Sequence, residues 1–173
     1  MILVYTGNGK GKTSAALGTV LRAVGYHKKT CIVQFVKDGT QYGEHHAIEH
    51  HLSDFVEAYQ AGIGFYKLPG DEHSEADHIK AAEEALKFSI EKIKSKEYDI
   101  IVLDEVLTAC MVKLVDEKDV LKIIEMIPKG MHLILTGRGA GEKIIEKSDL
   151  VTEMKEIKHP FQNNEPPVEG IDY

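Results

Sequence analysis

The sequence predicts an α/β fold: a mostly parallel sheet of about six strands, flanked by helices on both faces. Three observations carry this expectation. Short β-branched, apolar runs alternate along the chain with segments whose apolar residues return at helical spacing. Several runs, among them "TCIVQFV" (30–36) and "DIIVLDE" (99–105), are apolar almost throughout, as in strands buried on both faces. The first run feeds a glycine-rich loop that opens a helix.

Each element follows from local signals. Ile2 to Thr6 reads as a short buried strand. Thr13 to Tyr26 places Leu17, Val20, Leu21 and Val24 on one helix face, closed by Gly25 and Lys28-Lys29. Thr30 to Val36 is the second strand. "DFVEAYQ" (54–60) reads as a short strand, and Ala61 to Glu72 as an ordered loop containing glycine and proline. Ser74 with Asp77 resembles a capping box ahead of a long helix carrying Ile79, Ala82, Leu86, Ile90 and Ile93 on one face. Asp99 to Glu105 is a central strand. Asp116 caps a helix through Ile127, stopped by Pro128-Lys129-Gly130. Met131 to Thr136 is a further buried strand, followed by a glycine turn and a short helix. Leu150 to Ile157 alternates like an edge strand, and the tail from His159 is irregular. No internal repeat appears, and residues 1–173 read as a single domain.

Composition narrows the function. A formal charge of -7 argues against a general nucleic-acid binder, whose footprint is a basic excess. No apolar run approaches the ~20 residues of a membrane span, and no signal peptide precedes the first strand, so a cytoplasmic location is expected. Cys31 and Cys110 lie among apolar residues and read as buried, reduced thiols. His45, His46, His50 and His51 invite a metal reading, with His46 and His50 one helical turn apart. A solvated polar face is the better reading, because a closed site needs more convergent ligands.

In parallel sheets ligands bind at the carboxyl ends of strands. Three segments with suitable chemistry leave strands there. The first, Gly7-Asn8-Gly9-Lys10-Gly11-Lys12-Thr13-Ser14, resembles the phosphate loop G-x-x-x-x-G-K-[ST] with one residue missing between its outer glycines. Its glycines let backbone N–H groups point inward, and the helix starting near Lys12 aims its positive end at an anion. Lys10 and Lys12 add charge, and the Thr13 hydroxyl can serve Mg²⁺. The second segment, Asp104-Glu105, has the form of an acidic Mg²⁺ site beside the phosphates. The third places Arg138 between Gly137 and Gly139 as a bidentate phosphate donor. These residues indicate a Mg²⁺-nucleotide protein. They leave open an ATPase or kinase that transfers a phosphoryl group, and a non-catalytic nucleotide-binding module.

Taken together, the motifs resemble those of the ATP:corrinoid adenosyltransferases of the cobalamin pathway. The likeness runs nearly end to end: the opening strand, loop and helix; "IVQFVKD" (32–38); Gly43-Glu44; Gly64-Phe65; Glu75-Ala76-Asp77; "VLDE" (102–105); "TGRG" (136–139); "KHPF" (158–161); and "GIDY" (170–173). The shortened loop is the family's own.

The resemblance implies a RecA-like nucleotide-binding fold, a homodimer and a flavoprotein reductant. It also implies attack of a reduced cob(I)alamin or related corrinoid on the 5′ carbon of ATP, with triphosphate leaving. In this reading Gly7 to Ser14, Arg138 and Gly139 hold the triphosphate. Lys12, with Mg²⁺ on Thr13 and Glu105, offsets the charge of the leaving group. The corrinoid wall falls to Phe65, with Tyr66 as substitute for the family's tryptophan, whose place is taken by Lys67. The family's N-terminal extension has no counterpart ahead of Met1, so closure over the corrinoid is expected to differ or to come from a partner subunit.

Overall fold

Six strands form one sheet in the order β3-β2-β4-β5-β1-β6, and every neighbouring pair is parallel. The computed structural model describes residues 1–36, 42–64, 66–67 and 71–172. The strands are β1 (Ile2–Thr6), β2 (Thr30–Gln34), β3 (Val56–Gln60), β4 (Ile100–Asp104), β5 (His132–Thr136) and β6 (Leu150–Glu153). The helices are α1 (Lys12–Val24), α2 (Gly43–Ala47), α3 (Glu75–Ser95), α4 (Val106–Met111), α5 (Glu117–Met126) and α6 (Glu142–Glu146).

The continuously apolar strands are central because helices cover both of their faces. Successive side chains of a strand point to opposite faces. Val33, Ile101, Leu103, Leu133 and Leu135 therefore pack in one cluster with α3 and α5, through Ala82, Ala85, Val120 and Ile123. Ile32, Val102 and Ile134 pack in the other, with Ala16 and Val20 of α1. The apolar spacing read in the sequence thus corresponds to two distinct cores.

Local signals set the helix ends. Ser74 caps α3: its hydroxyl accepts from the Asp77 N–H, and the Asp77 carboxylate accepts from the Ser74 N–H. The Asp116 carboxylate caps α5 by accepting from the Lys118 N–H. One segment left unassigned in the sequence is helical, and one strand end differs from its reading. The stretch around the histidines forms α2, which runs on into a π-helical turn (Ile48–Leu52) and is held to the sheet by the buried Ile48. The last strand stops at Glu153, four residues short of the alternating pattern, because its partner β1 ends at Thr6, where Gly7 turns the chain; the Met154 N–H makes the last ladder bond, to the Thr6 carbonyl. Among the described residues no helix is long and apolar enough to cross a membrane.

All strands run the same way, so β1, β4 and β5 end at the same edge of the sheet, next to one another. The three motif-bearing segments leave from these ends.

Leu133 is fully buried in the α3/α5 core, at the end of β5 remote from the motifs. Leu133→Ala should lower unfolding free energy by about 2–5 kcal/mol, measured by urea denaturation. A loss under about 1 kcal/mol would show that this core is not close-packed.

Candidate active site

At the carboxyl edge lies an open cleft of about 720 Å³. Its charged lining includes Lys10, Lys12, Glu105 and Arg138, and its apolar lining includes Val36, Met111, Val112 and Leu114. Gly11, Thr13, Ser14 and Tyr66 also line it. Gly7, Asn8, Gly9 and Gly139 are not on that surface; three of the four are glycines whose faces are closed by neighbouring chain.

Close packing of the loop explains the glycines. Gly7 has φ +101°, and a Cβ there would stand 2.4 Å from the Met154 carbonyl oxygen. A Cβ on Gly9 would stand 2.7 Å from the Lys155 carbonyl oxygen, and the Gly9 N–H donates to the Met154 carbonyl at 2.8 Å. The loop is thus laid directly on the backbone leaving β6. Gly11 (φ +110°) then turns the chain into α1, at whose N-terminus no side chain caps the backbone. Free N–H groups at a helix start form an anion site.

Lys12 is buried, with 8% of its surface exposed, and its ammonium donates to the Gly9 carbonyl at 2.8 Å. Burial lowers its pKa below the ordinary value, while the nearby Glu105 carboxylate pulls in the opposite direction. A cation held in this way gains from an incoming polyanion. Lys10, by contrast, forms an ion pair with Asp172 of the C-terminal segment. Gly170, Ile171 and Asp172 line the same cleft.

Behind the loop stands Asp104, 1% exposed. Its Oδ1 accepts from the hydroxyls of Thr13 (2.8 Å) and Thr136 (2.7 Å), and its Oδ2 from the Gln34 amide (3.2 Å). Glu105 follows in the left-handed region, φ +62°. This turn directs its backbone N–H to the Thr136 hydroxyl at 2.9 Å, while its carboxylate accepts from the Thr108 hydroxyl. The Thr108 hydroxyl in turn accepts from the Arg138 N–H at 2.9 Å. Gly137 permits this approach: with φ +133°, a Cβ there would lie 2.5 Å from the Thr108 nitrogen. Arg138 is thereby brought to the cleft with its side chain exposed.

The oxygen donors of Thr13, Asp104 and Glu105 suit a hard cation that keeps several waters, so they fit Mg²⁺. Among the described residues no group of three or more His, Cys, Asp or Glu converges as a metal site. His46 and His50 stack with ring centroids 6.3 Å apart on the surface. His45 instead points inward, its Nε2 2.6 Å from the Gln34 amide oxygen.

Phe65 lies outside the described residues. Tyr66 lines the cleft, with the Lys67 ammonium 4.6 Å from its ring centroid and the His78 ring 5.2 Å away at 66°. Sequence reasoning missed the supporting residues Gln34, Thr108, Thr136, Asp71, His78 and Asp172. Their types are common, and no spacing connects them to the loop. Only Gln34, Thr136 and Asp172 lie within quoted motifs, "IVQFVKD", "TGRG" and "GIDY".

The chain matches the family described as ATP:corrinoid adenosyltransferase BtuR/CobO/CobP over residues 1–173. This chain belongs to that family. Its relatives include the corrinoid adenosyltransferase of a Sinorhizobium species, 34% identical over an alignment covering 100% of this chain and 80% of the relative. The Escherichia coli K12 corrinoid adenosyltransferase is also 34% identical, covering 100% of this chain and 85% of the relative. The corrinoid adenosyltransferase CobA of Salmonella typhimurium is 32% identical with the same coverage.

Two predictions follow from this geometry. Gly7→Ala should abolish measurable nucleotide binding in a titration and cost about 1–3 kcal/mol of stability, since strained φ and backbone contact cannot both be relieved. Asp71 is held down to about 2 from an ordinary 3.8, chiefly by the hydrogen bond from His78. A depressed carboxyl stabilises the fold above its ordinary value, and this contribution is lost as pH falls through the native one. Asp71→Asn should therefore flatten the decline in stability between about pH 4 and pH 2, read from urea midpoints.

Proposed function

We propose that this chain transfers the 5′-deoxyadenosyl group of ATP to the cobalt of a reduced corrinoid and releases intact triphosphate. The observation that carries this reading is the full-length family match, supported by a phosphate-binding loop and an apolar wall in one cleft. In the reaction the cob(I) electron pair forms the cobalt–carbon bond. The carbon–oxygen bond breaks, and its electron pair leaves with triphosphate. No protein nucleophile or general base is required, so the protein contributes position and charge.

The N–H groups of the loop and of the α1 start receive the triphosphate. Lys12 offsets the growing negative charge, and its burial strengthens that effect. Arg138 supplies a further cation from the β5 side. Thr13 and Glu105 are the proposed Mg²⁺ residues, with Asp104 between them in contact with the Thr13 hydroxyl. When bound, Mg²⁺ neutralises charge on the phosphate oxygens. The apolar side of the cleft receives the corrinoid and keeps water from its axial face, which eases reduction to cob(I). Phe65 and Tyr66 are the aromatics proposed for this wall. A flavoprotein reductant and a second copy of the chain complete the proposal, in a cytoplasmic setting. Burial pushes the thiols of Cys31 and Cys110 up to about 12, so neither is a reactive thiolate at neutral pH.

The test mixes protein, ATP, Mg²⁺ and chemically reduced cobalamin. Adenosylcobalamin with intact triphosphate is expected in equal amounts; ADP without a cobalt–carbon product would identify phosphoryl transfer instead. Lys12→Ala should lower kcat by about 10²–10³-fold with the fold intact by circular dichroism. Full activity in that variant would remove Lys12 from the mechanism.

A further inference from the structure

The chemistry above makes no use of the most deeply placed histidine among the described residues, His78 in the first turns of α3, 4% exposed. Its Nε2 lies 3.0 and 3.1 Å from the two oxygens of Asp71. A carboxylate only accepts, so Nε2 carries the proton and donates. The same carboxylate accepts from the N–H groups of Lys67 (2.9 Å) and His73 (3.1 Å). One acidic side chain thus gathers both sides of the connection between β3 and α3 and fastens them to the buried imidazole.

The imidazole meets Tyr66 as well as Asp71. The Tyr66 and His78 rings stand 5.2 Å apart at 66°, an edge-to-face contact, and the Lys67 ammonium lies over the tyrosine ring at 4.6 Å. Lys67 is in turn held 3.5 Å from Glu75 at the start of α3. Tyr66 packs on the core and lines the cleft together with Val36, Met111 and Leu114. A loop aromatic left to itself samples several rotamers. Here the buried side of its position is set by the His78 ring and its exposed side by Lys67.

We propose that Asp71 and His78 are positioning residues for the corrinoid wall, setting Tyr66 at the height where its ring covers one face of a flat macrocycle. This assignment rests on the proposed adenosyl-transfer reading and adds to it the residues that hold the acceptor surface. It predicts a selective effect. Loss of the pair loosens the acceptor side of the cleft and leaves the triphosphate side, built on Lys12 and Asp104, unchanged.

The experiment titrates the full chain separately with ATP and, in the presence of MgATP, with cob(II)alamin, following the corrinoid absorbance. His78→Ala should weaken corrinoid binding about tenfold while the ATP Kd stays within about twofold. His78→Gln keeps an N–H donor for Asp71 and should fall between the parent and His78→Ala. Tyr66→Leu, which leaves the Asp71–His78 pair in place, should reproduce the corrinoid defect, and combining it with His78→Ala should add little further loss. Equal corrinoid affinity in parent, His78→Ala and Tyr66→Leu overturns the assignment and leaves adenosyl transfer standing. Parallel losses for ATP and corrinoid in His78→Ala and His78→Gln overturn it as well, since they report a general structural role. Failure of the parent protein to bind corrinoid at all overturns the assignment together with the functional reading beneath it.

Discussion

The site depends on one buried carboxylate. Asp104, at the end of β4, receives the hydroxyls of Thr13 and Thr136 and the amide of Gln34. These donors come from the start of α1 and the ends of β5 and β2, so a single side chain joins four elements at the carboxyl edge of the sheet. A charge at 1% exposure is costly unless its lone pairs are met, and removing any one donor would leave that cost uncompensated. The arrangement is stable only with all these elements in register, and in that register the phosphate loop, the acidic pair and Arg138 share a cleft.

The loop itself is shaped by backbone contact. Gly7 and Gly9 are required by the carbonyls of Met154 and Lys155, which occupy the space of their side chains. Gly137 is required by Thr108 in the same way. Strand β6, short and exposed, therefore matters because it delivers Met154 and Lys155 as the floor of the loop, more than as a source of core area. In the proposed function a polyanion would meet N–H groups held by these contacts and a lysine whose burial makes an added negative charge favourable.

The acceptor side is built differently. The side proposed for the triphosphate sits on strand ends and a helix start, in a sheet covered on both faces. Tyr66 sits on a connection; its ring meets His78, which Asp71 holds, and carries the Lys67 ammonium on its other side. A flat, apolar acceptor needs a surface whose height is set by side chains, whereas a phosphate chain needs backbone donors. The two halves of the cleft therefore draw on different kinds of structure.

Much of this was legible in the residues. The parallel α/β sheet followed from apolar runs alternating with helical periodicity, and the caps of α3 and α5 from Ser74, Asp77 and Asp116. The phosphate loop, the acidic strand end and Arg138 followed from motifs whose chemistry is local, within a few residues of a strand end. The sequence by itself thus determined the strands and helices, the glycine-rich loop at the end of the first strand and, through its full set of motifs, the family. Tertiary structure alone decided which carboxylate faces Thr13, why the last strand ends at Glu153, how Lys10 meets Asp172, and that Asp71 and His78 lie beneath Tyr66. Periodicity and capping act between neighbours in the chain, whereas these contacts join residues brought together only when the sheet closes in register.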